Sequence, residues 1–254
     1  MKLDLNLKRI FLIAKASIKS NEQDSLLGIG WTLIWPVASV AILYFAFRSR
    51  FDIAESDYLL YLLVGVVLVN YFISCTSTLI PVLQYQRGII LNSLATVQEI
   101  QCAHFVAISY KLFIELLLCI CVSLVRSSFT LFDLSLLFIF VALFLFFTFN
   151  LCYCLSITYC YLRDIRYLWT LGSRMLLFVT PIFYQLEELS ELGRLIISYG
   201  NPLTSFVLVI RGTLILEEPI PAWAVVYSLI LVIFSIFLTQ LVNQVFSRRA
   251  MENV

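Results

Sequence analysis

Charge is scarce in this sequence: Asp, Glu, Lys and Arg make up 13% of 254 residues, against about 25% in an ordinary soluble domain. Histidine is scarcer still, with His104 alone, so a metal cluster built on His and Cys has little to draw on. The seven cysteines (Cys75, Cys102, Cys119, Cys121, Cys152, Cys154, Cys160) sit almost entirely in apolar runs, where thiols pack as small hydrophobes. A disulfide framework belongs to small secreted chains and has no support here. None of the eight glycines is followed by lysine, which excludes the phosphate-cradling Walker A loop. Gly-x-Ser-x-Gly, His-Glu-x-x-His and Asp-x-Asp are missing as well. The nearest carboxylate pair, Glu55-Ser56-Asp57, reads as a solvated helix cap. No catalytic, cofactor or metal site is expected. The net charge of +1 is segregated along the chain rather than pooled, so nucleic acid is not an expected partner.

What is abundant is apolar surface: 61% of residues are hydrophobic, and the mean hydropathy is +0.97. A core could not hide that much, so lipid must solvate part of it. A membrane span needs roughly 20 apolar residues. Charge-free windows of that length cover 25–47, 58–86, 134–162 and 219–247. Two further spans carry charge. Residues 100–125 hold Lys111 and Glu115, which neutralise each other at i,i+4. Residues 167–186 hold Arg174, which can snorkel or face protein.

Residues 1–24 offer no unbroken apolar signal-peptide region. Instead Leu3, Leu7, Ile10, Phe11, Ala14 and Ile18 recur at helical spacing, as in an amphipathic helix lying in the membrane interface; a solvated leader helix is the alternative. Both ends are basic, so both are expected in the cytoplasm, and an even count of six spans follows. Counting Lys and Arg on that topology gives eleven inside and five outside, as the positive-inside rule requires. Between the last two spans, 187–218 alternates acidic and short apolar pieces. Neither piece can cross, but a re-entrant helical hairpin in the outer leaflet fits, as does a surface loop of two amphipathic turns. Asn201 suits the cap, and Pro202 the first turn, of its second helix. The expected fold is an all-α polytopic membrane protein, one transmembrane domain over 1–254.

Six spans without an engine suit a half-transporter driven by a separate ATPase. An export permease for drugs or other lipids, a membrane scaffold and a glycan-processing membrane enzyme are the alternatives. Specific residues favour one family. Leu27-Gly28-Ile29-Gly30-Trp31-Thr32-Leu33-Ile34-Trp35-Pro36 resembles the first-span motif of the permease subunits of bacterial ABC exporters for cell-surface polysaccharides, of the O-antigen, capsule and teichoic acid type. Arg163-Asp164-Ile165, then Thr180-Pro181-Ile182-Phe183-Tyr184, then Asn201-Pro202 with Arg211, are similar to that family's later motifs, in order. The stretch Leu91–Glu99 departs from it, lacking the family's lysine and Phe-Pro pair.

The resemblance implies a multi-pass protein of the bacterial inner membrane, with both termini cytoplasmic. It implies two copies, a separate ABC ATPase holding ATP and Mg, and a lipid-linked polysaccharide as cargo. Lys8, Arg9, Lys15, Arg87, Glu99, Arg163 and Asp164 become ATPase-coupling candidates, with Arg163 and Asp164 paired to each other or to the ATPase. Trp31, Trp35, Pro36, Tyr85, Tyr110, Tyr159, Thr180, Pro181, Tyr184, Asn201, Pro202 and Arg211 become gate and channel candidates. Thr180-Pro181 should break the fifth span, since proline removes a backbone donor and leaves a carbonyl in need of another partner.

Overall fold

The computed structural model describes residues 2–22, 30–47, 55–92, 95–126, 130–215 and 220–253. The start of the first expected span with Leu27, Gly28 and Ile29, and the Glu217-Glu218 end of the re-entrant stretch, lie outside the described residues; so does the side chain of Leu3.

Every element among the described residues is helical: α1 (Lys2–Glu22), α2 (Gly30–Phe47), α3 (Glu55–Leu79), α4 (Val82–Tyr85), α5 (Arg87–Asn92), α6 (Val97–Arg126), α7 (Leu131–Tyr161), α8 (Ile165–Val179), α9 (Glu191–Gly200), α10 (Pro202–Leu214) and α11 (Ala222–Asn253). Four of them, α3, α6, α7 and α11, are long and apolar enough to cross a membrane. A fifth crossing becomes available if α9 and α10, which meet at 92°, count as one broken span. Rows of large apolar side chains stay exposed on these helices, among them Phe113 and Leu117 on α6 and Ile233 and Phe237 on α11. Water would charge heavily for such surface and hydrocarbon does not.

The boundaries depart from the charge-free windows at identifiable residues. The window 58–86 stops being one helix at Leu79, because Pro81 cannot continue it; the chain turns there and resumes as the short α4 and α5. The window 167–186 contains a helix only to Val179, where Thr180-Pro181 ends it as expected. At 15 residues α8 covers about 22 Å. The re-entrant stretch forms two helices as anticipated, but their 92° junction makes an elbow rather than an antiparallel hairpin.

The long helices share a packed centre. Phe72 of α3 stacks on Phe147 of α7 with centroids 6.4 Å apart, and Phe206 of α10 lies 5.3 Å from Phe147 and 5.5 Å from Phe144. Polar pairs fix the neighbours in place, as expected where packing has no hydrophobic preference for protein over lipid. Tyr71 and Ser109 join α3 to α6 at 2.7 Å, while Tyr153 donates to Asn243 at 2.6 Å and Thr239 to Asn150 at 3.0 Å across α7 and α11.

Direction along the bundle follows from α6. Glu99 opens it, Ser123 donates to the Leu214 carbonyl near its other end at 2.6 Å, and the two residues are about 36 Å apart along the helix. Helix α1 lies against the Glu99 end, through Ala14 packed on Ala103 and Ala107. The elbow occupies the Ser123 end. Of the expected α1 stripe, Ile10, Ala14 and Ile18 face α6, whereas Leu7 and Phe11 are exposed together with Leu12. The helix thus has one apolar face against protein and a second that stays exposed.

Candidate functional site

The joint between α3, the end of α8 and the elbow is built around a fully buried arginine. Arg211 has no solvent exposure, and a guanidinium taken out of water needs every compensating contact it can find. Its partners among the described residues are carbonyl oxygens: Nε donates to Tyr61 at 3.1 Å, one terminal nitrogen to Pro181 at 2.6 Å and the other to Ile182 at 3.0 Å. The guanidinium carbon also sits 3.5 Å from the centroid of the Tyr61 ring, a close cation–π stack.

These acceptors exist because of the local sequence. Pro181 ends α8, and its carbonyl and that of Ile182 lie just past the helix C-terminus, outside the helical ladder and close to the negative end of the helix dipole. A positive fork aimed at them satisfies both hydrogen bonding and field. Arg211, thirty residues downstream, serves the carbonyls of Pro181 and Ile182 past the break; the carbonyl that Pro181 deprives of a helical donor is that of Leu177, one turn back. Tyr184 folds back and donates to the Val179 carbonyl at 2.8 Å, covering the last turn of α8. Tyr61 then donates its hydroxyl to the Tyr184 carbonyl at 2.9 Å, so one residue of α3 supplies a hydroxyl, a ring face and a carbonyl to the joint.

The elbow is locked onto the same break. Asn201 accepts from the Leu203 amide at 3.1 Å as the cap of α10, with Pro202 in the first turn, and its amide nitrogen donates to the Thr180 hydroxyl at 2.8 Å. Thr180 and Asn201 are both buried. Gly65 makes the arrangement possible: it lies one turn beyond Tyr61, and a Cβ there would collide with a terminal nitrogen of Arg211.

Thr180, Pro181, Tyr184, Asn201, Pro202 and Arg211 therefore converge, although up to thirty-one residues separate them. The remaining gate and channel candidates do not join them. Trp31 and Trp35 stand exposed on α2, with Pro36 buried beneath. Tyr110 is half-buried and Tyr159 buried. Tyr85 lies at the other end of the bundle, accepting from Arg166 at 3.1 Å. Tyr61 and Gly65, both central to the joint, were not among the sequence candidates.

The coupling candidates gather at the α1 end. Arg9 of α1 pairs with Glu99 at 3.6 Å. Glu99 also accepts from the Thr96 amide at 2.8 Å while Thr96 accepts from the Glu99 amide at 3.2 Å, a reciprocal capping box that starts α6. Lys8, Lys15 and Arg87 are exposed. Arg163 and Asp164 are exposed too, and neither forms an ion pair with the other or with any other residue among those described. The turn between α7 and α8 is held instead by the Arg166–Tyr85 bond.

Among the described residues there is no group of His, Cys, Asp and Glu that could hold a metal ion. The chain matches no known family model and no curated protein.

Proposed function

We propose that this chain is the membrane-spanning subunit of an ATP-driven exporter that carries lipid-linked polysaccharide outward across a bacterial inner membrane, acting as two copies with a separate ABC ATPase. The observation that carries the reading is the convergence of three separated motifs, Thr180-Pro181 with Tyr184, Asn201-Pro202, and Arg211, on one buried joint. That joint lies at the end of the bundle opposite the exposed basic residues of α1, α5 and the α7–α8 turn.

On this reading α2, α3, α6, α7, α8 and α11 are the six spans, both termini are cytoplasmic, and the elbow is the outer gate. The α1 end then receives the ATPase, with Lys8, Lys15, Arg87, Arg163 and Asp164 left free for it, and ATP and Mg stay in that partner. The packed centre supports two copies. Phe72, Phe144, Phe147 and Phe206 fill the middle of a single bundle, so a polymer would run along an outer face. Helix α2, with Trp31, Trp35, Ile42 and Phe45 exposed, and α8, with Tyr167, Leu171, Met175 and Phe178 exposed, offer such faces.

Deletion of the gene tests this directly. Surface polymer is expected to disappear while lipid-linked polymer accumulates inside, read by cell-surface staining and by extraction of the lipid-linked pool. Surface polymer at the parental level contradicts the reading.

A further inference from the structure

A cleft of about 750 Å³ opens between the elbow, the segment after α8 and the start of α11, at the same end of the bundle as the Arg211 joint. Its size falls within the roughly 300–1,000 Å³ of small-ligand sites. Tyr199 and Trp223 contribute rings to its wall, Tyr61 lines it with its ring already covered by Arg211, and Gln185, Glu187 and Arg194 contribute polar groups. Among the described residues, the side chains of Gln185, Glu187 and Arg194 and the Trp223 indole N–H make no hydrogen bond or ion pair, so their bonding capacity is unspent.

The contrast with a second cleft is instructive. That groove, of about 480 Å³, lies between α3, α7, α8 and α11. There the Trp169 N–H is committed to Thr76, the Ser235 hydroxyl to Val232 and the Tyr227 hydroxyl to Tyr199. A groove with its polar atoms satisfied internally presents hydrocarbon; the first cleft presents ring faces and free donors and acceptors together.

We propose that the cleft beside the elbow is a binding subsite for a short neutral segment of glycan. A pyranose ring has apolar C–H faces that lie against aromatic rings and a rim of hydroxyls that both donate and accept. Glu187 accepts, Arg194 and the Trp223 indole donate, and Gln185 does both, so each hydroxyl role is met. A hydrocarbon chain would desolvate these groups with nothing in return. A polyanion would meet one arginine with a carboxylate beside it, which is poor electrostatic complementarity. The subsite deepens the exporter reading and rests on it for the source of the sugar: it would hold the polymer where the elbow opens.

The test uses the full chain in cells that make their polymer, with a photo-crosslinking benzoyl-phenylalanine in place of Leu195, which lines the cleft, or of Leu192, which is exposed but does not line it. Irradiation is expected to give a carbohydrate-bearing adduct at position 195 and not at 192, reduced several-fold by Arg194→Ala combined with Glu187→Gln. Both of those side chains are exposed, so the double variant should fold and still insert. Where surface polymer depends on this gene, absence of a sugar adduct at 195, or an adduct carrying only lipid or a second copy of the chain, overturns the subsite and leaves the exporter reading standing. Surface polymer that persists without the gene removes both.

Discussion

Arg211→Ala is expected to destabilise the protein by about 3 kcal/mol or more, because the Pro181 and Ile182 carbonyls lose their donors, the Tyr61 carbonyl keeps only its helical one, and each buried unsatisfied acceptor costs about 1–3 kcal/mol before relaxation. For a chain of this size that is a fall of about 6–12 °C in the unfolding midpoint, measurable by thermal unfolding of the purified protein in detergent. Arg211→Lys should recover little. An ammonium is a point charge without the planar fork that reaches three carbonyls while stacking on Tyr61. Gly65 supplies a sharper test of the same joint. Gly65→Ala places a Cβ against one nitrogen of a guanidinium that three hydrogen bonds, one from each nitrogen, hold in place, so it should destabilise the parent. In the Arg211→Ala background the guanidinium is gone, the Ile182 methyl, 3.2 Å from that Cβ, needs to yield only slightly in a segment freed of its arginine bond, and the helix propensity of alanine over glycine, about 1 kcal/mol, remains. Gly65→Ala should then stabilise. A change of sign between the two backgrounds is a coupling that independent sites would not show; equal effects would mean that Arg211 does not occupy the space beside Gly65.

Trp169→Ala is the second large expected effect. Helix α8 touches the bundle thinly: Tyr167, Leu168, Leu171, Met175 and Phe178 are exposed, and Ser173 is its buried residue. Trp169 packs its first half onto the bundle, with its N–H donated to Thr76 at 2.8 Å and its ring 6.1 Å from Phe72, and the exposed Arg166–Tyr85 bond is the other tie there. The ring is only half-buried, so its removal should cost about 2–3 kcal/mol, below the 3–5 of a fully enclosed aromatic. Trp169→Phe keeps most of the packing and loses one hydrogen bond, about 1 kcal/mol. Because α8 is held by Trp169 at one end and by the Arg211 joint at the other, amide exchange should rise along α8 in Trp169→Ala more than in α7 or α11. Uniform protection across the three helices would show that α8 has other anchors.

How much of this was readable beforehand follows from the kind of interaction involved. Of the long spans, α3, α7 and α11 were legible because charge-free length is a local property, and α6 because Lys111 and Glu115 stand one turn apart; all four overlap the expected windows, shifted at one or both ends by a few residues. The Asn201-Pro202 start of α10 was legible because capping is decided within three residues. Pro81 could have shortened the 58–86 window, and Thr96-x-x-Glu99 could have marked the start of α6, since both signals are likewise local. Arg211 stood out as a charge in an apolar stretch. Tyr61 and Gly65 did not, because an aromatic and a glycine inside an apolar helix look like packing until Arg211, 150 residues away, is placed between them. The angle of the elbow was equally hidden, since it is set by tertiary bonds from Asn201 to Thr180 and from Thr204 to the Ile197 carbonyl. The resemblance implied that Arg163 and Asp164 pair with each other or with the ATPase; neighbouring residues on a turn point apart, and both remain in the open.

The account depends on the two ends of the bundle facing opposite sides of the membrane, with the elbow outside and α1 in the cytoplasm. Single cysteines replacing Glu188, beside the elbow, and Lys15, on α1, are both at exposed positions and can be challenged with a membrane-impermeant maleimide in a background whose native cysteines are replaced. The expected result is labelling of position 188 in intact cells and of position 15 only after the membrane is opened. Labelling of both positions in intact cells, or of neither until the membrane is opened, would put gate and motor surfaces on one side and contradict the account.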